Sequence, residues 1–304
     1  MLKDQLKHAA QYWKTDGPAW VARVAAEKAV EQFWFLFPPL TYRSLRMYLR
    51  LGYWPDIEHP RTFNEKVAHR QVFVQHPLAS LVADKWRVRE FVAERGLAHL
   101  LNEVYCATDN PEEIPFGDLP DRFVIKANHG SHWNIIVKDK SSLDHPAVIR
   151  QCRKWLRQKY GKAGRCLETH YDSIKPMVLV EKLLEDRESA YLRDYKFYCF
   201  HGRVHHIYIF SPAPGGRTLN VYDRDWNEQG YTYLARGTPA ARPAALPAML
   251  DAAERLSRDI DFCRVDMYLL DGEKLVFGEI TMNPQGSLRR FRNKEMDLAY
   301  GELW

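Results

Sequence analysis

Short alternating runs and capped helical segments follow one another along the chain and predict an α+β protein, two mixed units behind a helical N-terminal region. Three observations carry this. A capping-box spacing, Thr62-Phe63-Asn64-Glu65, opens a new helix just after residues 1–60, which read as short helices. The runs FCRVDMYLL and KLVFGEIT alternate with the period of a strand and are joined by the hairpin signal Asp271-Gly272. Finally, 304 residues with 46% hydrophobic and 13% aromatic content can bury a sizeable core. The units are placed at 1–60, 61–185 and 186–304.

Gly17-Pro18 and Pro38-Pro39 divide the N-terminal region into short helices, and Gly52 with Pro55 closes it. The capping box starts a helix from Phe63 to about Val74. LVADKWRVREFVAERG reads as a second helix, stopped by Gly96. A strand near Leu101 to Tyr105, a Pro- and acid-rich loop and the strand RFVIKA follow, and the polar loop Asn128 to His132 returns into NIIVKD as a hairpin. Pro146 to Tyr160 reads as a helix, and Met177 to Val180 as a buried strand ending at Glu181. DYKFYCF, RVHHIYIF and LNVYD read as strands and Pro247 to about Ser257 as an Ala-rich helix, before the two runs around Asp271-Gly272. There are no internal repeats and no low-complexity segments.

Lys and Arg number 44 against 39 Asp and Glu, so the net charge of +5 is modest and spread without long runs of one sign. Nucleic acid is not expected as a partner, while anionic substrates and anionic lipid surfaces are compatible with this balance. Cys106, Cys152, Cys166, Cys199 and Cys263 are far apart and form no CxxC pair, which argues against a zinc site and a disulfide framework and for a reducing cytoplasm. No apolar stretch reaches the roughly 18 to 20 residues that span a bilayer, and MLKDQLKHAAQYWK lacks the apolar core of a secretion signal. In TYRSLRMYLRLGYW, Arg43, Arg46 and Arg50 recur at helical spacing. That pattern suits an ordinary helical cap packed on the next unit, and also a basic amphipathic contact with the inner membrane surface.

Chemistry is expected at the C-terminal hairpin. Alternation sends Arg264 and Asp266 to one face and Cys263, Val265 and Met267 to the other, and KLVFGEIT repeats this with Glu279 as its terminal carboxylate. Adjacent antiparallel strands would bring Asp266 and Glu279 to one hard cation such as Mg²⁺, held through oxygen. A salt bridge of Arg264 with a strand carboxylate explains Arg264 and Asp266 equally well, though not Glu279 beside Asn283 and Gly286.

The stretches TFNEKVAHRQ, VADKWRVREFVAERG, LPDRFVIKANHGSHWNIIVKD, VLVEKLLE, RDYKFYCFHGRVHHIYI and FCRVDMYLLDGEKLVFGEITMNPQG, in this order and spacing, resemble the ATP-grasp superfamily and within it the TupA-like, teichuronopeptide-biosynthesis branch. The resemblance covers Thr62 to about Gly286 and leaves the N-terminal region unmatched. It implies an ATP-grasp fold with ATP held between two α+β subdomains. Lys126 and Lys85 look like its nucleotide lysines, and Asn128 to His132, with His129, Gly130 and Ser131, like its phosphate-covering loop. Glu181, Lys182, Leu183 and Leu184 are similar to the segment that meets the adenine edge, with Lys196 supplying a further cation. Asp266 and Glu279 resemble the Mg²⁺ carboxylates and Arg264 the arginine that steadies an acyl phosphate. Thr281 stands where the family usually has Asn, so Thr281 or Asn283 would complete the metal shell.

The reaction so implied is ATP-dependent carboxylate-amine ligation through an acyl phosphate, joining a uronic acid or amino acid carboxylate to an amine in cell-surface polysaccharide synthesis. The same nucleotide site would also serve a phosphotransferase, or a non-catalytic ATP-binding scaffold. A protein kinase is disfavoured because neither GxGxxG, HRD nor DFG occurs. Glycosyltransfer lacks a convincing acidic pair, Tyr222-Asp223-Arg224-Asp225 reading better as a turn. Residues 201–217 and the cluster Arg289-Arg290-Phe291-Arg292 are where a substrate carboxylate could be selected, the arginines being equally well explained as a solvated surface.

Overall fold

A computed structural model describes residues 18–160, 167–187, 191–214, 216–230 and 234–304, so that Gly17 and Cys166 lie outside the described residues. Helices α1 to α8 span Pro18–Gln32, Pro39–Leu51, Phe63–Phe73, Ala79–Ala83, Val88–Glu94, His145–Arg157, Leu246–Ser257 and Lys294–Glu302. Strands β1 to β10 span Val104–Thr108, Phe123–Ala127, Asn134–Val137, Val178–Lys182, Asp194–Phe200, Arg203–Ala213, Gly216–Asp223, Glu228–Gln229, Phe262–Leu270 and Lys274–Thr281. By contacts the described chain forms two units: residues 18–74 and 285–303 with Leu167, and residues 75–160 and 168–284 with Trp304.

In the first unit the capping box opens α3. Thr62 Oγ1 accepts from Glu65 N, and Glu65 Oε2 accepts from Thr62 N at 2.9 Å and from Arg61 N at 3.1 Å. Gly52, with φ of 88°, ends α2 in the left-handed region. Two of the three arginines of α2 do not line a surface, while Arg50 is half-buried. Arg43 and Arg46 are buried, Arg43 Nη1 donating to Gly286 O at 2.9 Å and Arg46 Nε to Glu27 Oε1 at 2.7 Å. Two of the three arginines of the expected basic face are thus taken up inside the unit: the buried Glu27 of α1 requires a countercharge, which Arg46 supplies. Phe33, Phe35 and Leu36, between α1 and α2, are exposed, and no helix among the described residues is long and apolar enough to cross a membrane.

Met47, Ile57 and Ala68 make a small core, and α3 is tied to α8 through Asn64, whose Nδ2 donates to Asp297 Oδ2 at 2.7 Å. The cluster 289–292 is not a uniform solvated surface. Arg289 is buried with its guanidinium 4.7 Å from the Phe291 ring, and Arg290 lies over Trp20 at 4.0 Å.

The second unit holds both sheets, all of whose described pairings are antiparallel. One sheet has the order β1-β4-β2-β3; Phe123, Ile125, Val178 and Val180 pack with Val148, Cys152 and Trp155 of α6. The other has the order β10-β9-β5-β6-β7-β8; Phe197, Ile207, Val265 and Met267 pack with Met249, Ala253 and Leu256 of α7 and with Phe91 and Val92 of α5. Residues 81–96, read from sequence as one helix, are two. Asp84 ends α4 in extended backbone, and its Oδ1 accepts from Trp86 N and Arg87 N at 2.9 and 3.3 Å, so the chain restarts as α5. Asp223 Oδ1 accepts from Asp225 N and Asn227 N at 2.9 and 2.8 Å, making a turn between β7 and β8.

Gly301 of α8 lies against the chain at Arg61 and Thr62, where an added Cβ would collide with the Arg61 carbonyl oxygen. Gly301→Ala is expected to lower stability by about 1–3 kcal/mol, read as a lower urea midpoint. An unchanged midpoint would mean that this contact does not constrain α8.

Candidate functional site

The β9 ladder separates core from chemistry as the alternation predicts. Cys263, Val265 and Met267 enter the core, and Arg264 and Asp266 take the opposite face. In β10, strict alternation would put Glu279 on the side of Phe277, which is buried in that core. A bulge resolves this: Phe277 pairs with Met267 but Glu279 pairs with Asp266, leaving Gly278 as the extra residue. A Cβ at Gly278 would lie 2.9 Å from the Asp266 carbonyl oxygen and 3.2 Å from the Tyr268 ring, so a residue without a side chain is needed there.

Arg264 joins the acidic groups. Its Nε donates to Asp266 Oδ1 at 2.6 Å, and its Nη2 to Asp266 Oδ2 at 2.6 Å, Glu279 Oε1 at 2.9 Å and Thr281 Oγ1 at 3.0 Å. Thr281 Oγ1 donates to Glu279 Oε1 at 3.1 Å, so Thr281 braces the arginine and the carboxylate. Lys196 Nζ lies 2.5 Å from both Asp266 Oδ2 and Asp194 Oδ2. Asp194 was not anticipated; its signal in the sequence is its place two residues before Lys196, on the same strand face. Burial pushes the Asp266 carboxyl up against the pull of Arg264 and Lys196. Partial burial pushes Glu279 up as well, but Arg264, Lys85 and Lys196 together bring it down to about 2.

Asn283, two residues beyond β10, is buried, and its Oδ1 has no hydrogen-bond partner among the described residues. Two carboxylates in register and an unsatisfied buried amide oxygen are the hard-oxygen donor set that Mg²⁺ takes, so these residues fit that ion. Among the described residues no group of three or more His, Cys, Asp or Glu side chains is arranged to hold a metal.

On the other sheet, Lys126 and Glu181 point from the face opposite the α6 core, and Lys126 Nζ lies 2.7 Å from Glu181 Oε2. Glu181 is buried and does not pair with Lys182 or Arg187, whose partners are Glu103 and Asp271. Lys182 N donates to Glu103 O and Lys182 O accepts from Asn102 Nδ2, so its backbone is committed, and Leu183 and Leu184 follow half-buried. Lys85 lies in the break between α4 and α5, not on a helix, and its Nζ donates to Gly130 O at 2.5 Å. Burial pushes its ammonium down, with Glu279 opposing.

His129 does not serve as a loop donor. It is buried, with Nδ1 3.0 Å from Asn128 Oδ1 and Nε2 3.2 Å from both Trp155 O and Gln158 O. Its hydrogen bonds are spent inside the protein because those carbonyls, at the end of α6, face it. Gly130 has no room for a side chain, since a Cβ would lie 2.6 Å from the Trp133 ring, and Ser131 Oγ is 2.9 Å from His132 Nδ1.

A family model described as TupA-like ATPgrasp matches residues 65–304. Among solved structures, the chain is similar to D-alanine--D-alanine ligase from Bacillus anthracis at 18% identity, covering 78% of this chain and 74% of that one, TM-score 0.46. It is similar to N5-carboxyaminoimidazole synthetase from Staphylococcus aureus complexed with ADP at 10% identity, covering 68% and 46%, TM-score 0.42. It is also similar to the ATP-grasp ligase PsnB complexed with minimal precursor at 11% identity, covering 68% and 55%, TM-score 0.41. The chain spans about half the length of the last two. No curated protein matches it.

Glu279 stays ionised in the folded protein down to about 2, against 4.5 for the free side chain. Its contribution to stability is complete above the unfolded value and is lost as pH falls toward 2. The stability difference between wild type and Glu279→Gln is therefore expected to be largest above about pH 4.5 and to narrow as the pH falls toward 2, in urea titrations at a series of pH values. A difference independent of pH would contradict the three-cation environment.

Proposed function

Because the chain belongs to the TupA-like ATP-grasp family, we propose that it is an ATP-dependent carboxylate-amine ligase that works through an acyl phosphate. The observation that carries this reading is the meeting of Asp266 and Glu279 on Arg264, with Lys196 and Lys85 contributing to the same electrostatic cluster. Residues 61–185 and 186–304 act as the two parts that clasp the nucleotide.

Lys126 exchanges its Glu181 partner for phosphate oxygens, Lys85 and the backbone around Gly130 and Ser131 cover the same phosphates, and Leu183 and Leu184 border the base. Asp266, Glu279 and Asn283 would hold Mg²⁺, which when bound neutralises charge on the phosphate oxygens. A substrate carboxylate oxygen attacks the γ-phosphorus and the bond to the β-phosphate oxygen breaks, leaving ADP and an acyl phosphate. Arg264 steadies the acyl phosphate: its Nη1 makes no hydrogen bond among the described residues while Nε and Nη2 keep the arginine in place. An amine then attacks the carbonyl carbon, phosphate leaves and the amine gives up a proton. Lys196, held between two carboxylates, keeps the Asp266 side of the site charged and ordered.

The family supports a setting in cell-surface polysaccharide synthesis, with a uronic acid or amino acid carboxylate and an amine as substrates. The free thiols of Cys106, Cys152, Cys199 and Cys263 suit a cytoplasmic location.

Asp266→Asn and Glu279→Gln are each expected to reduce turnover at least about 100-fold while the fold persists, and Lys126→Ala to weaken ATP binding about 10-fold in calorimetry. Near-wild-type turnover in either acidic variant would remove the metal assignment. ADP release from ATP with uronic acids is expected to depend on an added amine and to yield an amide by mass spectrometry. A phosphorylated product formed without amine would make the protein a phosphotransferase instead.

A further inference from the structure

Asn128 follows β2 directly and is fully buried at the root of the loop that returns into β3. Its Nδ2 donates to Asp84 Oδ1 and to Lys175 O, each at 2.9 Å. Its Oδ1 accepts from Met177 N at 2.7 Å and faces His129 Nδ1 at 3.0 Å. Both donor hydrogens of the carboxamide are used within the protein and its oxygen takes the Met177 N–H, so no ligand needs to touch it. The amide cannot be turned over, because that would set its NH₂ against the Met177 N–H.

The main chain extends the same network. Asn128 N donates to Met177 O at 3.0 Å, and Asn128 O accepts from Lys85 N at 3.2 Å. Asp84, also buried, accepts at the single atom Oδ1 from Asn128, Trp86 and Arg87, which shapes the break between α4 and α5. Lys85 is thus gripped twice, at its amide by Asn128 and at its ammonium by Gly130 O, two residues further along the same loop. Filling a buried position needs only an apolar side chain of matching shape. What the carboxamide adds is a fixed relation between the segment that carries Lys85 and the loop that carries Gly130.

We infer that Asn128, braced by Asp84, is the positioning residue that, with the Gly130 carbonyl as anchor, holds the Lys85 ammonium in place for the phosphates of a nucleotide. The inference rests on the ATP-site reading above and adds a residue that acts only through Lys85. Asn128→Asp would replace both donors by acceptors and set a carboxylate against that of Asp84 across the 2.9 Å now spanned by a hydrogen bond. Asp84→Ala would remove the brace from the other side.

The test is a double-mutant cycle on the full chain, read as ADP affinity by calorimetry, with thermal melting of every variant recorded. Lys85→Ala and Asn128→Asp are each expected to weaken ADP binding about 10-fold, and the double variant no more than Lys85→Ala alone. Asp84→Ala in place of Asn128→Asp is expected to show the same lack of additivity, and serves if Asn128→Asp does not fold. The melting temperature should fall equally in both Lys85 backgrounds, so general destabilisation cannot imitate the result. If the double variant loses about 100-fold, the two effects add and the positioning role is overturned while the nucleotide site stands. If Lys85→Ala leaves ADP affinity unchanged, the nucleotide reading of Lys85 fails, and this inference with it.

Discussion

One guanidinium holds the acidic end of the hairpin together. Arg264 binds Asp266 through two nitrogens and reaches Glu279 and Thr281 on the neighbouring strand. Without it, two carboxylates placed in register by the ladder would repel each other, and the buried Asp266 would be left with Lys196 as its one cationic partner. The arrangement depends on the division of labour within the sheet: apolar residues occupy the side covered by α7, so the opposite side can carry charge without weakening the core.

The lysines of the site are each engaged within the protein: Lys126 with Glu181, Lys196 with Asp194 and Asp266, Lys85 with a loop carbonyl. A ligand gains only by offering better partners than these. Clustered phosphate oxygens meet that condition where a single carboxylate would merely trade one ion pair for another. Internal pairing therefore acts as a threshold of charge density for whatever enters.

The parts of the fold legible in the sequence are those with local causes. The capping box needs only Thr62 and Glu65, and the hairpin needs only the alternation of two runs and Asp271-Gly272, whose φ values of 49° and 70° satisfy a tight turn. The order of motifs sufficed for the family. Less legible features had distant causes. The helix break at Asp84 is completed by Asn128, the inward turn of Arg46 is dictated by Glu27 on another helix, and His129 turns to carbonyls at the end of α6. None of these partners lies within one helical turn of the residue it controls. Simple alternation brought Glu279 to the right strand end but not to the right face. The visible signal was a glycine inside a strand, which marks a bulge.

Gly278 also bears on how this chain tolerates changes of length. Elsewhere along β9 or β10, losing one residue would shift the pairing and turn the strand inside out, exchanging its buried and charged sides. At Gly278, where two residues already face one, losing the glycine would leave Phe277 opposite Met267 and Glu279 opposite Asp266. A gap of one position is thus compatible with the charged face at this bulge, where within the paired stretches on either side it would not be.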